Sequence, residues 1–137
     1  ALGERDVDYL IARAVQFFAP GVPQVYYTGL LAGGNDLELL KQSSVGRDIN
    51  RHYYQPDEVA SELSRPVVQQ LLELIRLRNT HPAFDGSFDL DQPTSSRLRL
   101  AWSQGEQRLT LEVDFEQPAA RIVEGRSETP LMSWSAN

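Results

Sequence analysis

The densest run of chemically able side chains is Gly46-Arg47-Asp48-Ile49-Asn50-Arg51-His52-Tyr53-Tyr54. Guanidinium, carboxylate, imidazole and phenol groups follow one another there with only Ile49 as an aliphatic break. A guanidinium presents its donors in a fixed fork, which suits sugar hydroxyls or a neighbouring carboxylate. Arg47 therefore has two readings, a ligand contact or a salt bridge that pins its own loop. Arg51 and His52 carry the same alternative, and bracing the loop is the preferred one. Asp36, Asp48 and Asp57 lie close by in sequence, and none is assigned a catalytic role. Tyr26 and Tyr27 close an apolar run and are read mainly as packing. His81 precedes a proline and is read as structural. The two histidines show no metal-ligand spacing, so no metal is expected. Gly29, Gly33 and Gly34 do not form a phosphate-binding loop of the P-loop type, and no cofactor is expected. They are read as residues that permit tight turns.

Composition narrows the classes. The formal net charge is -6, with hydrophobic residues at 41% and charged residues at 23%. Phosphate-backbone binding rests on clustered Lys and Arg, so the acidic balance argues against nucleic acid and anionic membrane surfaces. Lys41 is the one lysine; the other basic side chains are arginines. There is no cysteine, which removes disulfides and thiolate chemistry and fits a cytoplasmic protein. No apolar run has the length of a membrane span. The opening Ala1-Leu2-Gly3-Glu4 does not resemble a signal peptide and is expected to continue a longer chain.

The elements that must carry these residues fall into two textures. Val7, Leu10, Ile11, Ala14 and Phe18 recur at helical spacing and predict a helix over 5–18, stopped by Pro20-Gly21. Val22–Tyr27 reads as a strand buried on both faces. Residues 28–60 read as one long irregular stretch with a short helix at Leu37–Lys41. Val67, Val68, Leu71, Leu72 and Ile75 predict a second helix over 64–79, with Ser64 as cap and Pro66 in its first turn. Beyond His81-Pro82 the period changes to two. Leu98, Leu100 and Trp102, then Leu109, Leu111, Val113 and Phe115, alternate with other residues and predict antiparallel strands around a turn at Gly105. Further strands are expected at 86–90, 119–124 and 130–135. A buried strand without a partner strand requires neighbours from elsewhere. The fold class expected is α+β, with domains at 1–81 and 82–137.

The run Gln16-Phe17-Phe18-Ala19-Pro20-Gly21-Val22-Pro23-Gln24-Val25-Tyr26-Tyr27 resembles the last barrel strand region of the α-amylase superfamily. Gly29-Leu30-Leu31-Ala32-Gly33-Gly34-Asn35-Asp36, the 46–54 run, Arg65-Pro66-Val67-Val68 and Arg78-Asn79 narrow the resemblance to the sucrose phosphorylase family (glycoside hydrolase family 13). The resemblance implies the last helix-strand-helix portion of a (β/α)₈ TIM barrel, with 1–81 as its seventh helix, eighth strand, long loop and eighth helix. It implies a small antiparallel β domain at 82–137.

The same resemblance implies a glycosyltransferase that moves glucose from sucrose to phosphate with retention. Retention needs two carboxyl groups about 5 Å apart. In the family these stand upstream of the stretch matched here, so no catalytic residue is expected in this chain and the chain alone is expected to be inactive. Arg47 takes the position of the family's arginine that contacts the glucosyl unit. The partners implied are sucrose, phosphate and the missing upstream barrel, with a homo-oligomer possible. The alternatives are a sister phosphorylase of sucrose 6′-phosphate, glucosylglycerol or glucosylglycerate, and a non-catalytic carbohydrate-binding or assembly module. Trp102 and Trp134 would serve a sugar-binding module if exposed, but their alternating strands favour the core.

Overall fold

The computed structural model describes residues 5–136; the opening Ala1–Glu4 lies outside them. In chain order the helices are α1 (Asp6–Phe18), α2 (Tyr27–Leu30), α3 (Leu37–Ser43), α4 (Pro56–Leu63) and α5 (Pro66–Thr80), with short 3₁₀ turns at Gly46–Asn50 and Pro82–Asp85. Five strands follow: β1 (Ser87–Thr94), β2 (Arg97–Gln104), β3 (Gln107–Asp114), β4 (Ala119–Glu124) and β5 (Met132–Ser135). The chain forms two compact units. One comprises residues 1–23 with 73–137, and the other residues 24–72.

In the first unit the strands form a meander in the order β1-β2-β3-β4-β5, every neighbour antiparallel. Trp102 pairs with Leu109, Leu100 with Leu111, Leu111 with Ile122, and Ala120 with Trp134. Period two thus lines one face with apolar side chains, and α1 packs against β2–β5. Leu10, Ile11, Ala14, Phe17 and Phe18 are the buried side of α1. Its acidic first turn, Asp6 and Asp8, complements the positive helix end.

The seam between helix and sheet is aromatic. Trp102 Nε1 donates to the Phe18 carbonyl at 2.7 Å in a buried bond. Phe84 stands edge-on to Phe18 at 5.1 Å and lies 5.9 Å from Trp102. Arg78 covers both rings, 4.4 Å from Phe84 and 5.3 Å from Trp102. Burial holds the Arg78 guanidinium below its usual pKa. The opposite face carries an ion-pair row across four strands. Asp91 meets Arg99 at 3.2 Å, Arg99 meets Glu112 at 3.5 Å, and Glu112 meets Arg121 at 2.7 Å. Such exposed pairs contribute about 0–1 kcal/mol each.

Several expectations are corrected here. Among the described residues Val22–Tyr27 forms no strand. Val22 is 89% exposed and Tyr27 already begins α2. A parallel strand needs neighbours to take its backbone hydrogen bonds, and this segment has none among the described residues. The stretch 28–60 is not irregular, for it holds α2, α3, a 3₁₀ turn and α4. Ser64 does not cap α5; its hydroxyl donates to the Ser61 carbonyl at 2.6 Å, inside the end of α4. Phe115 lies past the end of β3 and is 53% exposed. Ala101 and Thr110 are buried although they lie opposite the apolar face, so burial of the central strands is not one-sided. Trp102 and Trp134 are both buried, which leaves no exposed indole to serve as a sugar platform. Gly105 turns the β2–β3 hairpin with φ +57°.

Candidate functional site

The second unit, residues 24–72, folds the run at 46–54 around one carboxylate. Asp36 is the N-cap of α3, and its Oδ1 accepts from the Leu39 backbone N–H at 2.8 Å. Its own N–H donates to the Ile49 carbonyl at 2.7 Å. Its Oδ2 lies 2.7 Å from His52 Nδ1. The start of α3 and the run at 46–54 thus meet at a single residue.

His52 has a second carboxylate on its far side, Glu58 Oε1, at 3.6 Å from Nε2. Glu58 is fixed by α4, where its side chain accepts from the Gln55 N–H at 2.6 Å as half of a capping box. The hydrogen bond from Asp36 raises the imidazole pKa above its usual value, opposed by partial burial and assisted by Glu58. Asp36 titrates below its usual value, chiefly through the Leu39 N–H and next through His52.

The tyrosines close the rest. Tyr27 Oη donates to the His52 carbonyl at 3.0 Å, and Thr28 Oγ1 donates to the Asn50 carbonyl at 3.1 Å. His52 stands edge-on to Tyr54 at 4.6 Å, and Tyr54 to Tyr27 at 6.2 Å. Burial raises the Tyr54 hydroxyl pKa. Gly33 makes this packing possible, because a Cβ there would fall 2.2 Å from Tyr54 Oη. Arg65 pairs with Glu62 and reaches the Leu31 carbonyl at 3.4 Å.

The predicted site residues separate into two sets. Arg51 and His52 line a cavity of about 750 Å³ together with Tyr26, Tyr27, Tyr53 and Tyr54. Arg47 does not line it. Arg47 sits on the 3₁₀ turn Gly46–Asn50 and is exposed. It makes no ion pair or side-chain hydrogen bond among the described residues. His52 takes the bracing geometry, tied to two carboxylates of its own unit. Sequence reasoning named Asp36 without giving it a role and missed Glu58 and Thr28. The signals were a capping Asp three residues before Leu39, and Gln55-Pro56-Asp57-Glu58 as a helix start. Among the described residues no group of three or more His, Cys, Asp or Glu side chains is placed to hold a metal. No described helix is long and apolar enough to cross a membrane.

The arrangement can present an exposed cation, Arg47, from a turn that other residues of the unit tie down. No family model matches the chain. It is 55% identical over 122 residues to a sucrose phosphorylase of Agrobacterium vitis, covering 89% of this chain and 25% of that protein. It is 48% identical over 129 residues to a glucosylglycerol phosphorylase of Marinobacter adhaerens, covering 94% of this chain and 27% of that protein. The crystal structure of sucrose 6F-phosphate phosphorylase from Thermoanaerobacter thermosaccharolyticum matches with a TM-score of 0.82 at 40% identity, over 96% of this chain and 27% of that one. Fold and sequence alike therefore match the chain to one segment of these phosphorylases. The chain belongs to the sucrose phosphorylase family and spans about a quarter of the length of the relatives it matches.

Proposed function

We propose that this chain is the C-terminal part of an enzyme that transfers the glucosyl group of sucrose to phosphate with retention, giving glucose 1-phosphate and fructose. The observation that carries the reading is the 55% identity to the Agrobacterium vitis sucrose phosphorylase. In this reading residues 1–81 complete a (β/α)₈ barrel of glycoside hydrolase family 13, and 82–137 form the β domain behind it. The nucleophile and the acid/base are carboxyl groups of the preceding part of the protein. One attacks the anomeric carbon while the other protonates the departing fructosyl oxygen, and phosphate then displaces the enzyme carboxylate. The chain by itself is inactive, and the enzyme works in the cytoplasm.

Arg47 is the donor-site contact from this chain. Its exposed guanidinium, unspent on its own loop, supports that role. It would donate to hydroxyls of the glucosyl unit, which all donors of this group share. The 48% identity to a glucosylglycerol phosphorylase supports a second reading, in which the same glucosyl site serves a different leaving group.

The test is phosphorolysis by the full-length protein of sucrose, sucrose 6′-phosphate, glucosylglycerol and glucosylglycerate, read as glucose 1-phosphate release. Sucrose is expected to give the highest kcat/KM. Arg47→Ala is expected to lower kcat/KM about 10- to 100-fold on whichever donor is used, the loss of a hydrogen bond to a charged group. Glucosylglycerol as the preferred donor selects the second reading. Near-normal kinetics of Arg47→Ala remove Arg47 from the donor site.

A further inference from the structure

The backbone that carries Arg47 is a five-residue turn tied to other parts of its unit. Two backbone hydrogen bonds tie the turn Gly46–Asn50 to its flanks, Asp48 N–H to Val45 O at 2.9 Å and Arg51 N–H to Asp48 O at 3.0 Å. A turn this short, with no fully buried residue, needs outside anchors to hold one conformation. Its anchors come from elsewhere in residues 24–72, and two of them converge on Asp36. The Asp36 N–H takes the Ile49 carbonyl at 2.7 Å. The Asp36 carboxylate takes His52 Nδ1 at 2.7 Å, just past the end of the turn. Two more are Thr28 Oγ1 on the Asn50 carbonyl at 3.1 Å and Tyr27 Oη on the His52 carbonyl at 3.0 Å. Asp36 is itself immobilised, because its other oxygen caps α3 through Leu39.

We infer that Asp36 is a positioning residue for Arg47: with His52 as its counterpart, it fixes the turn that presents the guanidinium, while touching no substrate itself. This rests on the reading of Arg47 as the donor-site contact. The physical reason is preorganisation. A guanidinium displaced by about 1 Å loses aligned hydrogen bonds that a held one keeps, and such displacement costs up to about 100-fold in rate. The pair also explains a feature that bracing alone leaves idle. His52 is oriented by carboxylates on both ring nitrogens, Asp36 and Glu58, so it is held in the plane that aims Nδ1 at Asp36.

Two measurements on the full-length enzyme test this. The first is kcat/KM for the preferred donor in Asp36→Ala, Asp36→Asn and Arg47→Ala, and in each Asp36 variant combined with Arg47→Ala. Asp36→Ala is expected to lower kcat/KM roughly 10-fold. Asp36→Asn keeps an acceptor for the Leu39 N–H and a polar group facing His52, and is expected to stay within about threefold of wild type. In the Arg47→Ala background either Asp36 change is expected to cost less than about twofold, because there is no guanidinium left to position. The second measurement is amide hydrogen exchange of residues 46–50, expected to accelerate in Asp36→Ala without change in residues 97–113. A full 10-fold loss from Asp36→Ala in the Arg47→Ala background overturns the inference, as does unchanged exchange at 46–50. Normal activity of Asp36→Ala beside a crippled Arg47→Ala overturns it while leaving Arg47 in the donor site. Normal activity of Arg47→Ala overturns the reading of Arg47 and the inference with it.

Discussion

Replacing Trp102 by Phe tests the account of the helix–sheet seam. The indole N–H donates to the Phe18 carbonyl at 2.7 Å, and that bond is buried. Phenylalanine keeps an aromatic ring but leaves the carbonyl at the end of α1 without its partner. An orphaned buried acceptor costs about 1–3 kcal/mol. The missing part of the indole leaves a void worth about 1 kcal/mol. Arg78, 5.3 Å from the Trp102 ring, loses a few tenths of a kcal/mol of cation–π attraction with the smaller ring (about 0.3). The sum is about 3 kcal/mol, or roughly 100-fold in an opening equilibrium. Hydrogen exchange of residues 97–104 and 109–113 in the intact protein reads that equilibrium directly. Phe88→Leu is the control. It removes a ring contact to Trp102 at 5.1 Å and spares the hydrogen bond, so its expected cost is about 1 kcal/mol. Equal effects of the two substitutions, or less than a threefold change for Trp102→Phe, would refute the argument that the buried bond ties helix to sheet.

Two further outcomes are expected. Gly86→Ala places a Cβ 1.9 Å from the Ser103 carbonyl oxygen and 2.6 Å from its carbon. Strand backbone must move to admit it, so β1–β2 pairing is expected to weaken by about 1–3 kcal/mol, seen as a lower urea midpoint; an unchanged midpoint contradicts the geometry. His52 is expected to titrate above a free imidazole, because Asp36 accepts from its protonated ring and Glu58 assists. Its folded pKa is raised, so its contribution to the loop is complete below the ordinary imidazole pKa and is lost as pH rises through the raised value. Asp36 is shifted down, so its contribution is complete above the ordinary carboxylate pKa and is lost as pH falls through the lowered value. NMR titration of the His52 ring, with exchange rates at 46–50 across that window, checks both; a His52 pKa at or below the free value contradicts the pairing.

The β unit was readable in the sequence because one physical rule governs it. Strand residues alternate between faces, so Leu98-Arg99-Leu100 and Leu109-Thr110-Leu111 announce their strands, and β4 falls on the expected 119–124. The reading failed where that rule stops. Phe115 continues the alternation past the end of β3 and is exposed. Val22–Tyr27 has strand composition, but a parallel strand is defined by neighbours, and composition cannot supply them. α4 was missed because it has no buried residue, so its start is written in capping chemistry and not in an apolar stripe. Arg47, Arg51 and His52 were visible as residue types at a spacing. Their division into an exposed cation and a braced imidazole depends on Asp36 and Thr28, whose bonds to this run span 16 and 22 residues. Side-chain partners at that range leave no periodic mark.

The order of the chain through its two units has one more consequence. Residues 24–72 leave the first unit after Pro23 and return to it at Glu73. The host clips both points, for Arg78 Nη2 donates to the Gly21 carbonyl at 3.1 Å. A segment whose ends are already fastened pays little for added length, about 0.6 kcal/mol for each doubling. The 24–72 segment is therefore an insert in the chain order of the first unit, and α5 runs on across its C-terminal end. Lengthening its turns is expected to cost little by the same measure, with the β1–β5 pairing unchanged as the outcome to check.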